Sequence, residues 1–217
     1  MEKVITAIEA QKHNRQRVNI SLDGEFAFSL DRLTAAWLKP GRKLTMEEIT
    51  RLQEQDDAES AYTRALHFLS FRSRSIQEMR DYLTRKGCSQ ELAAVVLSRL
   101  EGEGYLNDAR FSREWVENRS AFRPRGVSLL KAELRHKGIP NETIESALAQ
   151  ADLQESELAL KAARRVAGRY AALPQETFRL RLGAFLQRRG FSYAVVASVL
   201  SRLWNEAQNS SQGQDFP

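Results

Sequence analysis

The sequence predicts a mainly α-helical chain: tandem three-helix repeats in an elongated array, with a small N-terminal β-hairpin and helix module. Three observations carry this. Basic–glycine pairs stand at Lys86-Gly87, Lys137-Gly138 and Arg189-Gly190, at spacings of 51 and 52 residues. Around each pair the apolar residues recur in register. Met79, Leu130 and Leu182 lie seven before the basic residue, and Leu83, Leu134 and Leu186 three before it. Ala93, Ile144 and Val196 lie seven after it, and Leu97, Leu148 and Leu200 eleven after it. Apolar residues four apart share one helical face, and glycine ends a helix in the left-handed conformation at no steric cost. Finally, residues 3–30 alternate apolar and polar side chains about an Asp23-Gly24 pair, a hairpin signal because both turn positions need positive φ.

Taken in order, the chain opens with strands. Val4, Ile5 and Ile8 mark a first strand near 3–11, joined through His13-Asn14-Arg15 to a hairpin carrying Val18, Ile20, Leu22, Phe26, Phe28 and Leu30. Phe26 and Phe28 share one face and pack on a helix over 33–38 with Trp37; bases stacked on them, as in RNA-binding sheets, are the alternative. Lys39 to Lys43 forms a turn. Thr45 with Glu48 fits a capping box that starts a helix ending near Gln55, and Asp56-Asp57 breaks it. The module is thus 1–58. Three-helix repeats follow over 59–107, 108–152 and 153–205, each a leading helix (61–71, 109–119, 158–172), a second helix, a glycine stop and a third helix. Repeats of this length stack on their neighbours and share a core. The polar stretch 206–217 reads as a disordered tail.

Composition is that of an ordinary folded domain, 42% apolar and 28% charged. No run approaches the roughly 20 apolar residues that span a bilayer, and the first residues lack a signal-peptide pattern. The one cysteine, Cys88, excludes an internal disulfide and fits a reducing compartment, so a cytoplasmic monomer with no membrane contact is expected. The net charge of +5 is uneven. Residues 1–58 hold 9 Lys/Arg against 10 Asp/Glu, 59–158 hold 15 against 15, and 159–217 hold 9 against 3. A basic third repeat points to a polyanion or an acidic protein surface; a solvated charged face is the plain alternative.

The candidate binding residues follow from that charge. Arg72 and Arg74, then Arg123 and Arg125, stand just before second-helix starts, where backbone N–H groups also favour an anion. Lys161, Arg164, Arg165 and Arg169 line one side of a helix whose opposite stripe is Ala163, Val166, Ala167 and Tyr170. Arg181, Arg188 and Arg189 follow on the next helix, against Phe178, Leu182, Phe185 and Leu186. Arginine suits bidentate contact with phosphate or carboxylate. No catalytic group, cofactor site or metal site is expected. His13, His67 and His136 are scattered, Asp108 and Asp56-Asp57 lack partner carboxylates, and no phosphate-binding glycine loop is present. Cys88 occupies the position of Ile139 and Phe191 and reads as packing, as do Trp115 and Tyr105 at the seam between repeats.

Residues 72–75 (Arg-Ser-Arg-Ser), 82–87 (Tyr-Leu-Thr-Arg-Lys-Gly), 104–108 (Gly-Tyr-Leu-Asn-Asp), 111–116 (Phe-Ser-Arg-Glu-Trp-Val), Arg119 and 134–139 (Leu-Arg-His-Lys-Gly-Ile) together resemble the bacterial regulatory RecX family over about 59–205. Ser112 replaces the alanine more usual there. The resemblance implies tandem three-helix repeats and a non-enzymatic modulator of the RecA recombinase. Such proteins bind in the groove of the RecA filament on single-stranded DNA, usually oppose its growth, ATP hydrolysis and strand exchange, and in some cases bind DNA, single- or double-stranded, directly. The rival readings are a helical-repeat protein that binds DNA or RNA without RecA, and a nucleic-acid enzyme, which the missing metal constellation disfavours.

Overall fold

The computed structural model describes residues 2–170 and 172–212. It divides into two compact units, one holding residues 1–74 and 79–106 and the other 75–78 and 107–217.

In the first unit, β1 (Glu2–Ala10), β2 (Arg17–Leu22), β3 (Glu25–Asp31) and β4 (Lys43–Thr45) form an antiparallel sheet in the order β3-β2-β1-β4. The Asp23-Gly24 turn has φ of 52° and 89°, as the hairpin signal requires. Strand β4 is an addition to the expected meander. It is three residues long and carries no alternation to read, yet it pairs Lys43 with Val4, Leu44 with Lys3 and Thr45 with Glu2.

The expected shared face of Phe26 and Phe28 is corrected. Ile20 pairs with Phe28 but Ser21 pairs with Phe26, so Ala27 is a bulge. One extra residue reverses the alternation: Phe28 is buried and Phe26 is 66% exposed. Nor is 33–38 a helix. Residues 32–37 are turns, and Trp37 is half exposed with the Arg42 guanidinium 4.3 Å over its ring. The helix that covers the sheet is α1 (Met46–Ser70), whose Ile49 and Leu52 join Ile5, Ile20, Leu30 and Leu44 in one core.

Helix α1 also overrides the expected break at Asp56-Asp57. Asp56 is buried because its carboxylate accepts from Arg17 Nη2 at 2.7 Å and from the Asp31 backbone N–H. A buried charge is tolerated only with such partners. The 25-residue helix therefore runs from the sheet into the first repeat, beginning at the Thr45–Glu48 capping box.

The first repeat adds α2 (Ile76–Arg85) and α3 (Gln90–Gly102). The second comprises α4 (Asp108–Phe122), α5 (Val127–His136) and α6 (Asn141–Gln150), and the third α7 (Glu155–Ala167), α8 (Gln175–Arg188) and α9 (Tyr193–Gln212). Every apolar position in the repeat register is buried. Helix α9 corrects the expected tail: residues 206–212 continue it, and 213–217 lie outside the described residues.

Each second helix stops in the same way. Gly87, Gly138 and Gly190 have φ of 84°, 76° and 82°. Their N–H groups donate to Thr84, Arg135 and Gln187 carbonyls, and the next residues, Cys88, Ile139 and Phe191, donate to Leu83, Leu134 and Leu186. This is the Schellman geometry, and its hydrophobic partner position explains why Cys88 is buried like Ile139 and Phe191.

Candidate anion-binding site

The stacking of second helices positions the site, all within the second unit. Two kinds of contact recur, shifted by one or two positions in the repeat register. Ser75 Oγ donates to the Lys137 carbonyl at 2.7 Å, and Ser128 Oγ to the Gly190 carbonyl at 2.6 Å. A Cβ on Gly138 would lie 2.4 Å from Gln77 Cβ, and one on Gly190 would lie 2.4 Å from Leu129 Cβ. The glycine stops therefore permit a close approach as well as a left-handed turn.

The helix starts themselves are occupied, which corrects the expectation of an external anion there. The Ile76 N–H donates to Asp108 Oδ1 at 2.9 Å and the Val127 N–H to Glu155 Oε1 at 2.9 Å. In both places a carboxylate from the next repeat's leading helix satisfies the orphan donor.

The arginines gather beside this stack. Arg123, Arg125, Arg165, Arg188, Arg189 and Leu129 line a depression of about 340 Å³, and none of them is acidic. Three lines of chain supply them: the 123–126 linker, α7 and the end of α8. Two of the arginines are anchored by carbonyls, Arg165 Nη1 to Phe122 at 2.6 Å and Arg189 Nη1 to Pro124 at 3.2 Å. Arg165, though exposed, thus reaches the end of α4 beside the linker. Arg125 forms an ion pair with Glu133. Glu133 is shared, however, accepting also from Arg119 Nε at 3.0 Å and Trp115 Nε1 at 2.8 Å. Among the described residues the Arg123 and Arg188 guanidiniums have no carboxylate partner. Burial, reinforced by the charges of Arg125, Arg165 and Arg123, holds the Arg189 guanidinium below its ordinary pKa.

The other candidates are placed elsewhere. Arg164 pairs with Glu206, both carboxylate oxygens at 3.2 Å, a carboxylate that Arg202 Nε also shares at 3.1 Å. Lys161 Nζ reaches the Ser120 carbonyl at 3.4 Å, and Arg169 and Arg181 are exposed and do not line the depression. In the first unit Arg74 lies 3.9 Å over the Phe68 ring and Arg72 Nη1 donates to the Ser73 carbonyl at 2.9 Å. Of the two aromatic residues read as seam packing, Trp115 packs at 5.7 Å on Phe111 within its own repeat, and Tyr105 is half exposed. The gathering of five arginines was not legible in the sequence, because Arg123 and Arg188 are far apart along the chain. The equivalence of Arg189 to Lys137 was the one available pointer.

The family models match throughout: the regulatory protein RecX N-terminal domain at residues 3–45 and the RecX first, second and third three-helix domains at 61–100, 107–148 and 153–200. The chain is 34% identical to the regulatory protein RecX of Bacillus pumilus over 96% of its length and 80% of the relative's. It is 34% identical to that of Bacillus subtilis with the same coverage. Among solved structures, a crystal structure of regulatory protein RecX covers 91% of this chain and 98% of its own, with a TM-score of 0.71 and 28% identity. RecX from Lactobacillus salivarius shares the fold at a TM-score of 0.61, covering 69% of this chain and 97% of its own at 24% identity. With four successive domain matches and relatives at this identity along nearly its whole length, the chain belongs to the RecX family of regulatory proteins.

Proposed function

We propose that this chain regulates the RecA recombinase by binding the RecA filament on single-stranded DNA and restraining its ATP hydrolysis, growth and strand exchange. It does so in the cytoplasm, as a monomer and without covalent chemistry of its own. The observation that carries this reading is the depression lined by Arg123, Arg125, Arg165, Arg188 and Arg189 in a member of the RecX family. A filament on DNA offers phosphates and carboxylates along its groove, and guanidinium groups pair with either in bidentate geometry. A protein held there would oppose the cycling of subunits that accompanies nucleotide turnover.

The test is single-stranded-DNA-dependent ATP hydrolysis by the cognate RecA, titrated with this protein. A fall supports the reading; a fall below stoichiometric amounts indicates capping or stripping of growing ends, and a fall near stoichiometry indicates coating of the groove. Unchanged hydrolysis at saturation refutes it. The same arginine cluster also supports a RecA-independent nucleic-acid binder, which tight DNA binding with a steep salt slope and no effect on RecA would favour.

A further inference from the structure

The two stacked second-helix contacts share a hydroxyl-to-carbonyl bond and a glycine pressed on the facing helix, each shifted by one or two positions in the repeat register, but they differ in charge. With the repeats aligned on their basic–glycine pairs, Arg189 is the counterpart of Lys137 and Leu129 the counterpart of Glu78. In the earlier contact Lys137 Nζ forms an ion pair with Glu78, whose side chain also closes the Ser75 capping box. In the later one the counterpart in sequence is Leu129, which packs on Gly190 and offers no charge, while Arg123, Arg125, Arg165 and Arg188 crowd around Arg189. A half-buried guanidinium without its counter-charge, beside four more, is unfavourable in the unliganded protein.

We propose that this depression is a phosphate site: it takes a phosphate group of a single DNA strand, which supplies the negative charge that Glu78 supplies one repeat earlier. Arg123 and Arg188 present donors not committed to a carboxylate, and Arg165 and Arg189 are steadied by backbone carbonyls, so the fork is formed before the anion arrives. The phosphate then ties the 123–126 linker to α7 and α8. The chemistry is that of phosphate; the choice of DNA as its source rests on the proposed action on DNA-bound filaments.

The test uses the full chain without RecA. Thermal unfolding in chloride buffer is compared with and without inorganic phosphate, and binding of fluorescent oligodeoxythymidylate is followed across salt concentrations. Three variants are measured: L129E, which installs the missing carboxylate, L129Q as its uncharged control, and R123Q/R188Q. The wild type is expected to melt higher in phosphate. L129E is expected to melt higher than wild type in chloride alone, to gain nothing from phosphate, and to bind the oligonucleotide about tenfold more weakly with a salt slope smaller by ~0.7 per lost contact. L129Q should keep the response to phosphate. R123Q/R188Q should lose it without the gain in chloride, and this holds as a test should L129E fail to fold. Loss of the phosphate response with oligonucleotide binding intact would overturn DNA as the source. No phosphate response in the wild type, or one unchanged in R123Q/R188Q, would overturn the site. Because RecA is absent, either result stands apart from failure of the ATPase titration.

Discussion

Replacing three glycines by alanine separates the two duties of the repeat stops. Gly87 has φ of 84° and open space where a Cβ would stand. Alanine there meets only the left-handed conformational cost, about 1–2 kcal/mol. Gly126 has φ of −74°, which any residue adopts, but its Cβ would lie 2.1 Å from the Gly190 oxygen and 2.5 Å from the Phe191 nitrogen. Alanine there meets only the close approach, about 1–3 kcal/mol for forcing packed backbone apart. Gly190 combines φ of 82° with a Cβ 2.4 Å from Leu129 Cβ and 2.6 Å from its nitrogen. Its substitution should therefore cost about 2–5 kcal/mol, the sum of the two effects. Native-state hydrogen exchange, read at core amides of the compact unit carrying each change, gives these free energies separately. A cost at Gly190→Ala no greater than at Gly87→Ala, or a neutral Gly126→Ala, would show that the close approach carries no stability.

Asp56→Ala should destabilise the sheet module by about 2–4 kcal/mol in urea unfolding, since it strands the Arg17 charge and the Asp31 N–H; a loss under about 0.5 kcal/mol would show that the helix continues through 56 for another reason. Thr45→Ala removes one capping-box acceptor and should cost about 1 kcal/mol by the same measurement. The hydrogen bond from Tyr62 to Glu103, with burial adding to it, pushes the Tyr62 phenol up from 10 to about 12. Because that folded pKa is raised, its stabilisation is complete below pH 10 and is lost as pH rises through about 12. Absorbance titration should show one tyrosine ionising late, and Tyr62→Phe should abolish that phase; a single phase near 10 would contradict the pairing.

The parts of this fold that were legible in the sequence are those set by local periodicity. The apolar register around 86, 137 and 189, the three glycine stops and the Asp23-Gly24 turn follow from the helical period and from positive φ, which neighbouring residues alone determine. The misreadings share a different cause. The continuation of α1 through Asp56 and the pairing of β4 with β1 depend on partners 25 to 43 residues away, and the bulge at Ala27 on how β3 registers against β2, none of which the alternation encodes. Charge was legible as an excess in 159–217 but not as a place. Arg164 stands in the same helical stripe as Arg165, yet the first pairs with Glu206 on α9 and the second bonds the Phe122 carbonyl beside the depression. Arg123 and Arg125 precede a helix start, but Glu155 occupies that start, so no local pattern places them in the depression.

If the arginine-lined depression carries regulation, charge reversal within it weakens the effect on RecA. RecA ATP hydrolysis on single-stranded DNA is titrated with the wild-type chain and with R123E/R188E, after circular dichroism has established that the variant is folded. The wild type should suppress hydrolysis, and the variant should need at least about tenfold more protein for the same effect, as befits the loss of two charge-assisted contacts. Equal suppression by the two proteins would contradict a regulatory role for the depression.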